Sequence, residues 1–266
     1  MKGMNRAPQL TGAAGLTGLL YGFMYLPLLV LTVFSVNRSR YSAQWQGFTL
    51  QWYQQLLDEH RLLGALQNSL IVAVCAVGMA AVLGTLMAVG LARYRFPGKQ
   101  LFQGVAYLPL VIPDIAIAVG TLVLLATLSI PLSLGTVISA HVVFCIAYVA
   151  VAVSTRLDHL DPHLEEAALD LGATPRQAFL SVLLPQLLPG VLSGCLLAFM
   201  LSMDDLLISS FTVGSGATTL PIEIFSRIRT GVQPDINALS VLLISGSAIM
   251  ALLAEYVRHR VEQRQN

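Results

Sequence analysis

Three acidic residues stand where the sequence otherwise allows no charge. Asp114 follows two prolines in LPLVIPDI, and Asp204 and Asp205 are neighbours in LSMDDLLISSF. A carboxylate inside a membrane span is expensive, and by default it marks a functional site. Two chemistries fit. Ionised, the acids offer fixed negative charge to a passing cation. Protonated, or bonded to Ser or Tyr, they tie helices together. No Lys or Arg lies within the same apolar runs to pair them. Charge of that sign favours a cationic ligand over sulfate, phosphate or molybdate.

Helical geometry assigns the acids to faces. Adjacent residues differ by about 100° around a helix, so Asp204 and Asp205 point apart. Asp205 shares a face with Gly194, Ala198, Ser202 and Ser209, a small and polar stripe that suits a pathway. Asp204 is flanked by Leu197, Met200, Leu201, Leu207 and Ile208, which suits an interface or gate. Asp114 falls about 12 residues, or roughly 18 Å, into its span. Pro113 frees the carbonyl of Pro109 from its helical bond, which predicts a kink beside the carboxylate. His141 is read as bonding another helix or lining the path. Tyr107 and Tyr148 offer hydroxyls, or aromatic faces to an ammonium. Glu223 and Asp235 add negative charge in the outer loop 211–237, at an entrance, in a solvated loop or on a docking surface. Arg227 and Arg229 in the same loop oppose a simple acidic entrance. Asn68 and Ser69 are expected to cap the second span.

The elements that hold these residues follow from composition. Of 266 residues, 56% are hydrophobic and 11% charged, with mean hydropathy +0.73 and net charge +1. An ordinary soluble domain carries about 25% charge, so most of the apolar excess must face lipid. A disordered chain, a disulfide scaffold and a nucleic-acid partner are excluded; there is no basic footprint. Cys75, Cys145 and Cys195 have no redox or metal spacing and read as packing residues. No metal site is expected.

A span needs about 20 apolar residues. Charge-poor runs place six, near 13–36, 66–92, 102–128, 134–154, 187–210 and 238–257. The first is too long for a signal-peptide core and reads as a retained helix. With the N-terminus inside, inner segments hold Lys2, Arg6, Arg93, Arg95, Lys99, Arg156, Arg176, Arg258, Arg260 and Arg264. Outer loops hold Arg38, Arg40, Arg61, Arg227 and Arg229. Ten against five puts both termini in the cytoplasm. Trp45, Trp52 and Tyr53, beside Phe48, suit the outer interface. The fold expected is an all-α integral membrane protein, one transmembrane domain over 1–266. A first span and outer loop (1–65) precede a five-span core (66–257).

One inner loop, 155–185, differs from the rest. Asp158, Asp161, Glu165, Glu166 and Asp170 make it acidic. Asp161 can cap a first short helix, with Pro162 at its first position. Gly172 suits the left-handed residue that ends it. Thr174 and Gln177 form a capping-box pattern around Pro175 for a second helix. Pro185 is expected to stop that helix before the fifth span begins.

Glu166-Ala167-Ala168, then Gly172, then Val182-x-Leu184-Pro185 resembles the E-A-A-x3-G-x9-I-x-L-P pattern of ABC importer permeases. Val182 stands where Ile is usual. The segments WQGFTLQWY, HVVFCIAYVAV, EEAALDLGATP, LSMDDLLISSF, GATTLPIEIFSRIRTGVQP and INAL extend the likeness to polyamine permeases, those for putrescine and spermidine. From the fourth span through GATTLP the chain looks closer to the putrescine type. YRFPGK and SMDD look as much like the spermidine type.

The resemblance implies an ABC importer type I transmembrane domain in a bacterial inner membrane. It implies a coupling helix between spans four and five, docked on a cytoplasmic ABC ATPase dimer through Glu166, Ala167, Ala168, Gly172, Leu184 and Pro185. It also implies a second, different permease subunit and an extracytoplasmic substrate-binding protein. ATP and Mg would be held by the ATPase, because Gly98-Lys99 is followed by Gln100 and forms no phosphate loop. This chain is then not an enzyme and binds no cofactor itself. The pathway residues expected are Asp114, Asp204, Asp205, Ser202, Ser209, Glu223 and Tyr148. The alternatives are an importer permease for a cationic amino acid or metal complex, and an ion-coupled carrier or channel using the acids as a proton relay.

Overall fold

A computed structural model describes residues 7–39, 44–161, 163–230 and 234–263. The readings at Lys2, Arg6, Arg40, Pro162 and Arg264 lie outside them, as do the side chains of Arg258 and Arg260. The described chain is helical apart from one antiparallel bridge between Asn37 and Phe48. Four helices are long and apolar enough to cross a membrane: Ala14–Ser35, His60–Arg93, Leu134–Leu157 and Pro175–Asp204. A bent pair, Lys99–Leu110 with Asp114–Thr127, makes a fifth if counted as one span. The sixth expected span falls in a helix Pro234–Gln263, whose described apolar part is Asp235–Ile249.

Two compact units divide the chain. One holds Gly64–Phe225. It contains most of α3 (His60–Arg93), then α4 (Lys99–Tyr107), α5 (Asp114–Thr127) and α6 (Leu134–Leu157). It continues through α7 (Leu164–Asp170), α8 (Pro175–Gln177), α9 (Leu184–Asp204), α10 (Leu207–Thr212) and the start of α11 (Leu220–Thr230). Its axis is α6, whose Val137, Ala140, Phe144, Cys145, Val149, Ala150 and Val153 are buried. Small residues let its neighbours approach, as in helix pairs within membranes. A Cβ on Gly84 of α3 would lie 3.0 Å from the Val149 side chain, and one on Gly194 of α9 would lie 2.9 Å from the Val149 backbone.

The other unit holds the described parts of Met1–Leu63 and Ser226–Asn266. Here α1 (Ala7–Ser35) packs along α12 (Pro234–Gln263), and α12 packs on α2 (Gln51–Asp58). The Trp52 indole is buried and donates to the Asn37 carbonyl at 2.7 Å, so it is a packed anchor. Tyr53 bonds Ser35 at 2.8 Å. Arg227 reaches Asp235 at 2.8 Å and Glu59 at 3.2 Å, so opposite charges of the 211–237 segment are paired.

Two expected spans are interrupted. The third bends by 108°, where a kink was expected. A 3₁₀ turn, Leu108–Leu110, leads to Pro113, which has extended ψ of 137°, and α5 restarts at Asp114. Pro113 lacks an N–H and disfavours helix at Ile112, so the ladder breaks outright. The fifth span ends at Asp204, and Asp205 is extended, with ψ of 116°. At its other end Pro185 does not stop the capped helix. The residues Ala178–Leu183 form a π turn that runs on into α9. Such a turn shifts the hydrogen-bond register and accommodates a residue with no donor.

Candidate functional site

The two breaks carry the acids. Asp114 opens α5, Asp204 closes α9, and Asp205 lies between α9 and α10. All three line one cavity of about 250 Å³, together with Pro109, Phe144 and Tyr148. Residues 90 apart in sequence therefore meet because both helices stop at the same place. At a helix end the backbone no longer satisfies itself, so a polar side chain there serves the fold as well as any ligand.

Asp205 is committed to such work. Its carboxylate accepts from the N–H of Ile208 at 3.1 Å and of Ser209 at 2.7 Å, capping α10. The same group lies 3.2 Å from Nε2 of His141 and is 8% exposed. The imidazole of His141 is 1% exposed. Its Nδ1 meets Ser202 Oγ at 2.7 Å and its Nε2 meets Ser209 Oγ at 3.1 Å. One side chain on α6 thus holds both halves of the broken fifth span. A proton on Nε2, facing Asp205, leaves Nδ1 to accept from the Ser202 hydroxyl.

The expected division of labour between the neighbouring acids is reversed in geometry. The wheel predicts a pathway-facing Asp205; its carboxylate touches the cavity but is bonded to His141 and the start of α10. Asp204 was read as flanked by apolar side chains; it is exposed in the cavity wall. The wheel fails because the helix ends between them. Among the described residues neither Asp114 nor Asp204 has a hydrogen-bond or ion-pair partner. The small stripe of Gly194, Ala198 and Ser202 also faces inward, buried against α6. Small residues serve close packing and open pathways alike, and periodicity does not separate the two.

The remaining residues are placed as follows. Ser202 and Ser209 are buried partners of His141. Tyr148 is half-buried in the cavity wall, while the Tyr107 hydroxyl meets Ser154 at 3.3 Å. Glu223 is 3% exposed, so it is not part of a solvated loop. Asn68 and Ser69 do not cap α3, which begins at His60. They lie inside it and hold the chain before α11. Ser69 accepts from Leu220 N–H at 2.8 Å, and Asn68 donates to the Thr218 carbonyl at 3.0 Å. Sequence reasoning missed Thr136, whose hydroxyl donates to the Thr212 carbonyl at 2.8 Å. Its capping box with Ser133 is local, but the contact with Thr212 is not.

The loop 155–185 folds much as its punctuation predicts. Its first cap is the exception: α7 begins at Leu164 behind His163, and Asp161 instead accepts the His163 N–H at 2.9 Å in a turn just ahead of it. Gly172 has φ of +89°. The Ala173 N–H reaches the Ala168 carbonyl at 3.0 Å and the Gly172 N–H reaches that of Leu169 at 2.9 Å, which is a Schellman end. Thr174 and Gln177 bond reciprocally around Pro175. Glu166, Ala167 and Gly172 are exposed, and Ala168 is buried. Leu184 is half-buried and Pro185 exposed, both at the start of α9. His163 sits 2.8 Å from Glu166. That hydrogen bond, then the charges of Glu166 and Asp161, raise its pKa above the ordinary imidazole value.

Known proteins share this sequence and fold. Residues 80–265 match the family model described as "Binding-protein-dependent transport system inner membrane component". The chain is 43% identical over 270 residues to the putrescine transport system permease protein PotI of Escherichia coli (strain K12), covering 98% of this chain and 96% of that one. It is 39% identical over 238 residues to the spermidine/putrescine transport system permease protein PotC of the same strain, covering 90% of each. A crystal structure of a bacterial ABC transporter that imports the acidic polysaccharide alginate superposes with a TM-score of 0.77 at 14% identity, covering 96% of this chain and 99% of that one.

Proposed function

Because the chain belongs to the family of binding-protein-dependent transport system inner membrane components, we propose that it is the permease subunit of an ATP-driven ABC importer that moves polyamines, putrescine or spermidine, into the cytoplasm. The observation that carries the cationic cargo is the cavity with two partnerless carboxylates, Asp114 and Asp204. An ammonium about 4 Å from one carboxylate gains on the order of 4 kcal/mol at an effective dielectric near 20. That offsets part of its dehydration without trapping it, as a conducting site requires. Asp205, with Ser202, Ser209 and His141, holds the break that presents Asp204. Tyr148 supplies an aromatic wall, and Glu223 acts from a buried position.

The rest of the machine follows the family. A second, different permease chain completes the path. An extracytoplasmic binding protein delivers cargo to the outer loops. ATP and Mg are held by a cytoplasmic ATPase dimer, and the exposed Glu166–Ala167 edge and Gly172 turn of α7 dock on it. Leu184 and Pro185 sit where the docking turn joins the fifth span. Closure of that dimer tilts the spans and alternates access. Six spans, with α12 as the last, leave both termini in the cytoplasm.

The test is uptake of labelled putrescine, spermidine and arginine by cells expressing the chain with its partner subunits. Uptake is expected for a polyamine and is lost when the ATPase loses its Walker lysine. Transport that survives that loss identifies an ion-coupled carrier instead. Asp204→Asn is expected to raise the half-saturating cargo concentration about tenfold, if its charge contributes about 1.4 kcal/mol. An unchanged concentration dependence removes Asp204 from the path.

Glu166→Ala and Gly172→Val are expected to leave the permease in the membrane and lower recovery of the ATPase with it. A side chain at φ of +89° strains the backbone by about 1–2 kcal/mol. Full recovery of ATPase with both variants would rule out docking at this turn.

A further inference from the structure

The coupling turn touches the membrane core through two routes, and one is an ion pair that the docking motif does not include. Adjacent helical residues point about 100° apart, so Glu165 and Glu166 face different ways. Glu166 is exposed. Glu165 turns inward and lies 2.7 Å from Nε of Arg93, with the two side chains 23% and 27% exposed. Arg93 is in the last turn of α3, and Glu165 is in the first turn of α7. Each charge thus also complements the dipole of its own helix end. A cleft of about 470 Å³, lined by Gly90, Tyr94, Leu169 and Phe179 among others, lies beside the pair. The π turn that continues into α9, to which Phe179 belongs, also packs on α7.

Resting on the importer reading above, we infer that the Arg93–Glu165 pair is a strut that passes movement of the coupling turn to the second span, in parallel with the covalent route into the fifth. A packed interface resists compression but separates easily where a cleft adjoins it. A short ion pair only partly open to water also resists separation, because breaking it leaves two half-buried charges unpaired. Arg93 and Glu165 are therefore positioning residues. They act on the cargo path through α3 and touch neither cargo nor nucleotide.

The test uses the complete transporter in proteoliposomes and reads cargo moved per ATP hydrolysed. Arg93→Gln and Glu165→Gln are each expected to lower that ratio several-fold, with the ATPase still bound. The double variant should be no worse than either single one, since both remove the same contact. Arg93→Lys, which keeps the charge, should restore much of the ratio. An unchanged ratio, additive losses, or loss of the ATPase from Arg93→Gln overturns the strut. If the unmodified complex moves no polyamine with ATP, the importer reading itself fails, which is a separate outcome.

Discussion

Asp205→Ala is expected to lower the maximal uptake rate at least about tenfold, and Asp205→Asn to lower it less. Alanine removes both acceptors for the Ile208 and Ser209 N–H groups, and losing a helix cap costs about 0.5–2 kcal/mol. It also removes the carboxylate beside the His141 imidazole, 1% exposed, leaving Nε2 to Ser209 alone; losing a typical hydrogen bond costs about 0.5–1.5 kcal/mol. The six-residue α10 is too short to hold itself without such support. Asparagine caps as well as aspartate in general, but it has one acceptor where two N–H groups and an imidazole converge. The order Asp, Asn, Ala therefore follows from counting acceptors. The loss should fall on the maximal rate, because the break is disturbed, whereas Asp204→Asn should move the half-saturation. Uptake per inserted permease, measured across cargo concentrations, separates the two. Asp205→Ala performing like the wild type, or Asp205→Asn performing worse than Asp205→Ala, would refute the role as cap and anchor.

Gly214→Ala is expected to deplete the folded permease from the membrane. A Cβ there would collide with the Leu132 carbonyl oxygen and lie 2.8 Å from the Ser133 N. These are backbone atoms, so no rotamer change relieves the clash. The cost should exceed the about 1–3 kcal/mol typical of overpacking by side chains. The damage spreads, because Ser133 caps α6 and Thr136, in its first turn, holds the Thr212 carbonyl. Separating these ends also loosens Ser209 from His141. Gly104→Ala, where the added atom meets nothing within 4 Å, is the control. The amount and thermal stability of detergent-extracted permease report the outcome. Equal recovery of both variants would contradict the packing of the 132–136 and 212–214 segments.

The same residues show where sequence reasoning reached and where it stopped. The loop 155–185 was legible because capping is local. Thr174, Gln177 and Gly172 act within a few bonds of their own position, and each has a residue-type signature. The breaks were half legible. Pro113 announced a disturbance, but whether a proline kinks a helix or ends it depends on what surrounds the freed groups. The break after Asp204 had no proline to announce it.

The sequence by itself determined that this chain lives in lipid, which run carries the capped turn of 155–185, and that the charges left among its spans are acidic. Composition and periodicity suffice for that, because partition into a bilayer is a sum over residues. Only the tertiary structure decided which acid is free. Asp205 and Asp204 are chemically identical neighbours. One met His141 and the N-terminus of α10, and the other met a cavity. The α10 cap is local, but His141 lies 64 positions from Asp205 along the chain, brought close by α6 packing on α9 and α10, and no local pattern encodes that contact.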